Sequence, residues 1–180
     1  PNVGKSTLVN ALLNQNRQIA SNIEGTTRDS IDIEFTRNDK NYVAIDTAGL
    51  KKRGRIYEAI DKYSALRALA AIDRSDIALF VIDAFTDIRE QDKHVVGYAV
   101  ENNKAIIIVV NKWDLVVKNE KTMSDFTKKI RNEFKFLEYA PIVFVSALEK
   151  KRIDTIFEAI DVAYEGFTSH LQTASALRKQ

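Results

Sequence analysis

The order of strand-like and helix-like segments predicts an α/β fold. Three layers are expected: a mostly parallel sheet with one antiparallel edge strand, and helices on both faces. Three observations carry this. Strands and helices alternate along most of the chain. Ala105–Asn111 is apolar at nearly every position, as in a strand covered on both sides. Polar motifs follow directly on several of the apolar runs, where parallel sheets bind ligands. In order, Lys5–Leu13 reads as a helix with Leu8, Val9 and Leu12 on one face. In Ser30–Arg37, Ile31, Ile33 and Phe35 alternate with Asp32, Glu34 and Thr36, which predicts a half-buried strand at the sheet edge. Asn38-Asp39-Lys40-Asn41 is turn chemistry, so Tyr42–Asp46 returns antiparallel to it. Helices are expected over Tyr57–Ile72, Glu90–Glu101, Ser124–Phe134 and Ile153–Phe167, and strands over Ile77–Asp83 and Ile142–Ser146.

A chain of 180 residues is enough for one core and one domain. With no cysteine, disulfides, thiolate catalysis and Cys-ligated zinc are excluded, and a reducing cytoplasm is the expected location. The longest apolar stretch, Ala105 to Val110, is far too short to span a bilayer, so no membrane span is expected. A formal net charge of +2 does not by itself announce a nucleic-acid binder. His94 and His170 show no metal-ligand spacing and are expected at the surface.

The chemistry is concentrated in a few short motifs. The chain opens with Pro1-Asn2-Val3-Gly4-Lys5-Ser6-Thr7 at a helix start. Backbone N–H groups around Val3–Ser6 can point at a phosphate, helped by the positive end of the following helix. Lys5 supplies a point charge for β/γ oxygens, and the Ser6 hydroxyl a ligand for Mg²⁺. A full loop of this kind has an earlier glycine and follows a strand, so an upstream segment is expected. Asp46-Thr-Ala-Gly49 ends a strand; Asp46 can hold Mg²⁺ through a water, and Gly49 lets backbone approach a γ-phosphate because it has no Cβ. From the loop Gly25-Thr26-Thr27-Arg28-Asp29, a threonine hydroxyl can complete the metal's coordination when the γ-phosphate holds the loop; Thr27 is favoured over Thr26. Lys5, Thr27 and Gly49 are thus the candidate catalytic residues. Ser6, Thr27 and Asp46 are the candidate Mg²⁺ ligands.

Asn111-Lys112-Trp113-Asp114 names the base. A carboxylate at the end of a buried strand can accept two hydrogen bonds from guanine, through N1–H and the exocyclic amine, and adenine offers neither. A site built on such a pairing rejects the wrong base by roughly 10⁴–10⁵-fold. Asn111 can bridge the purine and the phosphate loop, and the aliphatic stem of Lys112 can lie against the base plane. Trp113 is expected to pack inside. In Ser146-Ala147-Leu148, the Ala147 N–H can reach guanine O6.

These motifs, in this order, resemble the TRAFAC-class P-loop GTPases. They are most similar to the second GTPase domain of a bacterial double-GTPase ribosome-assembly family. The likeness runs through Lys62-Tyr-Ser-Ala-Leu-Arg-Ala68, Ala71-Ile-Asp-Arg-Ser-Asp76, Glu90-Gln-Asp92 and Tyr139-Ala-Pro141, and fades after Phe167. It implies the P-loop NTPase fold, GTP and GDP as ligands, and a role in assembly of the large ribosomal subunit. It also implies an upstream GTPase domain and a downstream KH-like domain. Residues 1–167 would form the GTPase domain and 168–180 a linker towards the next module. Many GTPases orient the attacking water with a glutamine after Asp-x-x-Gly; here that position is Leu50, which cannot. Relatives with an apolar residue there often recruit K⁺ through an asparagine of the phosphate loop, and Asn2 stands at the matching position. Slow, K⁺-stimulated hydrolysis is therefore expected. The basic run Lys51-Lys52-Arg53-Gly54-Arg55 reads either as a solvated loop or as a contact for phosphate backbones; Lys150-Lys151-Arg152 is another such run, and Lys128, Lys129 and Arg131 add charge on a helix face of the kind that is ordinarily solvated.

Overall fold

The computed structural model describes residues 4–14, 18–24, 31–45 and 60–178. Its elements run α1 (Lys5–Asn14), β1 (Gln18–Glu24), β2 (Ile31–Arg37), β3 (Lys40–Ala44), α2 (Ile60–Arg74), β4 (Ile77–Asp83), α3 (Glu90–Glu101), β5 (Ala105–Asn111), α4 (Thr122–Glu133), β6 (Ile142–Phe144) and α5 (Ile153–Arg178), with 3₁₀ turns at Trp113–Leu115 and Lys135–Leu137. The class is α/β, as expected. Among the described residues the strands form an antiparallel sheet, β1-β2-β3, and a parallel sheet, β4-β5-β6.

The parallel sheet is built on β5. Its odd and even residues divide between two cores. Ile107 and Val109 pack with Leu8 and Leu12 of α1 and with Ile156 and Phe157 of α5. Ile106, Ile108 and Val110 pack with Val96 and Ala99 of α3 and with Ile130 and Phe134 at the end of α4. All five β5 side chains are at most 2% exposed, which is why the segment shows no polar alternation. Asp83 lies opposite Asn111 in the β4–β5 register, and Val110 opposite Phe144 in β5–β6, so the three strands end together.

The antiparallel part is larger than expected. β2 is flanked by β1 and β3, so the edge position falls to Gln18–Glu24. That strand lacks a run of branched apolar residues, and a register shift between Ile19 and Ser21 breaks the period of two on which a sequence reading depends. The β2–β3 connection is the two-residue turn Asn38-Asp39, with φ of 50° and 61°, the geometry of a type I′ hairpin. Three side-chain contacts fasten this sheet to α5: Arg37 to Asp154 at 2.8 Å, Lys40 to Asp161 at 3.1 Å, and the Tyr42 hydroxyl donating to Asp161 at 3.0 Å. Burial, then the hydrogen bond and charge of Asp161, push the Tyr42 phenol up to about 12. Arg74, at the end of α2, pairs with the buried Asp32 of β2.

α5 continues to Arg178, well past Phe167, where the sequence reading ended its last helix. Residues after Phe167 are polar but include Leu, Gln, Ala and Arg, and neither Gly nor Pro interrupts them. The fading of apolar patterning therefore did not mark the end of the helix.

Since both faces of β5 are covered, Ile107→Ala and Ile108→Ala should each cost about 3 kcal/mol in urea unfolding. A marked inequality between the two would contradict the two-core description.

Candidate nucleotide site

The site lies at the carboxyl ends of β5 and β6, facing the start of α1. Gly4 has φ +86°, a left-handed backbone that favours glycine. Its carbonyl accepts the Leu8 N–H at 2.9 Å, the first bond of α1. A Cβ placed on Gly4 would come within 2.4 Å of the Asn111 side-chain amide nitrogen, so that amide lies directly against the loop backbone. On its other side, the Asn111 side-chain oxygen accepts the Ala147 N–H at 3.0 Å. Asn111 is buried, and it joins the end of β5, the loop after β6 and the start of α1.

Lys112 follows with φ 60°, a left-handed residue that turns the chain into the 3₁₀ turn carrying Asp114. Asp114 is half-buried, and none of the described residues donates to or pairs with its carboxylate. Trp113 points inward, 5% exposed, with Phe144 at 4.6 Å and Phe126 at 5.8 Å between ring centroids. The Trp113 backbone N–H donates to the Val145 carbonyl at 3.1 Å, and the Val145 backbone N–H donates to the Val110 carbonyl at 2.8 Å. The loop after β6 is held just as firmly. Ser146 is buried, its hydroxyl accepts the Glu149 N–H at 3.1 Å, and its backbone exchanges two hydrogen bonds with Lys151.

At the phosphate end, Lys5 and Thr7 are exposed, and Ser6 is half-buried with its hydroxyl oxygen fully enclosed. That oxygen has no hydrogen-bond partner among the described residues. A buried hydroxyl left unpaired is costly, and one placed where a metal ion would take its lone pair fits a Mg²⁺ ligand. No cluster of acidic or histidine side chains among the described residues offers a competing metal site. Asn2, Val3, Thr27, Asp46 and Gly49 lie outside the described residues, as do the basic loop 51–55 and Leu50.

One residue with a place in this site was not anticipated. Asp83, in register with Asn111, is 3% exposed. Burial would raise its pKa, but hydrogen bonds from the Phe85 and Thr86 N–H groups, the Thr86 hydroxyl, and the charge of Lys112 outweigh it and hold the carboxyl below the usual range. Its Oδ2 faces the Lys112 ammonium at 3.5 Å. The available signal was an acidic residue closing the otherwise apolar Ile77–Ile82 run.

Residues 1–112 match the family model described as 50S ribosome-binding GTPase. The chain belongs to this GTPase family. Among the most similar relatives are "GTPase Der" of Oceanobacillus iheyensis, 58% identical, and "GTPase Der" of Staphylococcus carnosus, 57% identical. These alignments cover 96% and 97% of the chain but 40% of either relative, so the chain spans about two fifths of the length of these GTPases. Among solved structures, Era bound to MgGDPNP and nucleotides 1506–1542 of 16S ribosomal RNA is similar, with a TM-score of 0.64, 27% identity, and coverage of 89% of this chain and 52% of that one. The elongation factor SelB of Methanococcus maripaludis, bound to GppNHp, matches 91% of this chain and 32% of its own length with a TM-score of 0.66; at 18% identity it attests the fold alone.

In this GTPase-family site, Gly4→Ala should destabilise the protein by about 2 kcal/mol, through left-handed strain and displacement of Asn111. Asn111→Ala should cost about 2 kcal/mol by leaving the Ala147 N–H unpaired. With the amide gone, the added methyl has room. The double variant should therefore lose about 1 kcal/mol less than the sum of the two, measured by urea denaturation.

Proposed function

We propose that this chain is a GTP-binding and GTP-hydrolysing switch domain that acts in assembly of the large ribosomal subunit in the bacterial cytoplasm. The observation supporting this best is the open Asp114 carboxylate beside Asn111, whose amide is fixed to both Gly4 and Ala147. One side chain thereby relates a guanine-reading loop to a phosphate-gripping loop. Asp114 accepts the paired donors of guanine, and the Lys112 stem covers the base plane. The Ala147 N–H already serves Asn111, so any contact with guanine O6 would be shared or would require that bond to lengthen.

Val3, Gly4, Lys5, Ser6 and Thr7 cradle the phosphates, with Lys5 countering charge on the β/γ oxygens. Ser6, Thr27 and Asp46 would hold Mg²⁺, which when bound neutralises charge developing on the phosphate oxygens. Gly49 donates its N–H to the γ-phosphate and so distinguishes GTP from GDP. Asn2 would hold K⁺, replacing the countercharge that Leu50 cannot help to supply. Residues 1–167 constitute the GTPase domain and 168–180 lead towards a KH-like module, with another GTPase domain upstream. The partner is the large subunit or its rRNA. Lys150 and Arg152, exposed and without ion pairs among the described residues, join the 51–55 loop as candidate phosphate contacts.

A guanine-binding module without hydrolysis is the second reading, favoured by Leu50. Phosphate release from GTP in KCl and in NaCl separates the two. Hydrolysis should be slow and faster in K⁺, and Asn2→Ala should remove the K⁺ stimulation; persistence of that stimulation would refute the Asn2 assignment. Asp114→Asn replaces an acceptor by an amide that can donate, so affinity should pass from GDP towards XDP. Discrimination against ADP should fall by several powers of ten from the roughly 10⁴-fold level. Retention on immature large-subunit particles should be stronger with a non-hydrolysable GTP analogue than with GDP.

A further inference from the structure

Asp83 has two separable attachments. Its Oδ1 accepts the Phe85 N–H at 2.8 Å and the Thr86 N–H at 2.7 Å, closing the loop after β4. Its Oδ2 accepts the Thr86 hydroxyl at 3.3 Å and faces the Lys112 Nζ at 3.5 Å. The carboxylate is 1% exposed, while the Lys112 side chain is 34% exposed. A lysine side chain has four rotatable carbon–carbon bonds and ordinarily samples water. Here a left-handed backbone at Lys112 and a buried anion beneath its ammonium restrict that sampling. The β4–β5 register places Asp83 opposite Asn111, the residue before Lys112, so the anion stands directly behind the base-reading tetrad.

We propose that Asp83 is a positioning residue for guanine-nucleotide binding: it anchors the Lys112 ammonium so that the methylene stem stays across the base site. This rests on the guanine reading of Asn111–Asp114. The alternative is that Asp83 only caps its own loop. The two roles rest on different properties of the side chain: both loop N–H groups bind Oδ1, and Oδ2 faces the ammonium with the Thr86 hydroxyl as its one loop contact. Capping needs a neutral or charged acceptor at Oδ1, which asparagine also offers. Anchoring needs the negative charge at Oδ2, which asparagine replaces with an amide donor facing an ammonium.

The experiment is a thermodynamic cycle of Asp83→Asn and Lys112→Met, read by calorimetry with Mg·GDP and by the dissociation rate of a fluorescent GDP. Methionine retains a long apolar side chain at 112 without the charge. Asp83→Asn alone should weaken GDP binding about tenfold, mostly through faster dissociation. In the Lys112→Met background the same change should alter affinity less than twofold. Full-strength binding by Asp83→Asn would overturn the proposal. So would an undiminished tenfold loss in the Lys112→Met background, which would route the effect through the loop. Asp83→Ser, whose hydroxyl can also accept the loop N–H groups, is the second variant. If neither replacement folds, the side chain's role is structural and the proposal is overturned. ADP titration of the unmodified protein is the separate control: equal affinity for GDP and ADP would remove the guanine reading itself, whatever the cycle shows.

Discussion

The arrangement depends on the Asn111 side chain. Its oxygen holds the backbone of the loop after β6, and its nitrogen lies against the backbone at Gly4. Among the described residues, neither loop pairs with the other in a strand or helix. A buried amide with a partner on one side and glycine on the other therefore fixes the distance between these two loop backbones. This explains two sequence constraints at once. Position 4 disfavours a Cβ while Asn111 is in place, and position 111 needs an acceptor for the Ala147 N–H on a side chain flat enough to lie against Gly4. Aspartate would repel a phosphate ligand, and leucine would leave the Ala147 N–H unpaired in a dry environment.

Most of the scaffold was legible because β5 and its neighbours obey simple packing rules. Ile77–Asp83, Glu90–Glu101 and Ala105–Asn111 have the boundaries that apolar patterning predicts. Trp113 turns inward as expected. What escaped has particular causes. Gln18–Glu24 carries an irregular register, and its pairing with β2 is a tertiary property. The continuation of α5 past Phe167 falls where the apolar pattern of the sequence fades. Ile142–Phe144 is shorter than expected because Val145 and Ser146 already serve the loop that holds Trp113 and Lys151. In the site, residue types with dedicated chemistry were recognised directly, whereas Asp83 was not, since its role depends on a lysine distant in sequence and close only across the β4–β5 pairing.

Backbone strain is also placed unevenly. Besides Gly4 and the Asn38-Asp39 and Asn103 turns, the left-handed residues among those described are Lys112, Lys150 and Arg152. All three are long cations that pay a steric penalty glycine would avoid, and all lie in the two loops Asn111 brings near the nucleotide site. At Lys112 the buried carboxylate of Asp83 gives a reason for retaining the side chain. At Lys150 and Arg152 no described residue offers an anion, while Lys151 between them is occupied by Glu149 at 3.0 Å. The strain is thus compensated within the molecule at one position and left facing solvent at the other two.

The buried polar residues sharpen the point. Four side chains of this kind lie in the described core: Asp32, Asp83, Asn111 and Ser146. The last three close or follow β4, β5 and β6, and each accepts backbone N–H groups from a loop: Phe85 and Thr86, Ala147, and Glu149 respectively. Polar burial normally opposes folding. Here it is satisfied by immobilising three loops at one edge of the sheet, so the same bonds that offset desolvation also preorganise the ligand face. The Ser6 hydroxyl departs from this pattern, enclosed yet unpartnered among the described residues. In a site that otherwise pairs its buried polar atoms, an open lone pair at the helix start is where the proposed Mg²⁺ would find an oxygen that the described protein groups leave unused.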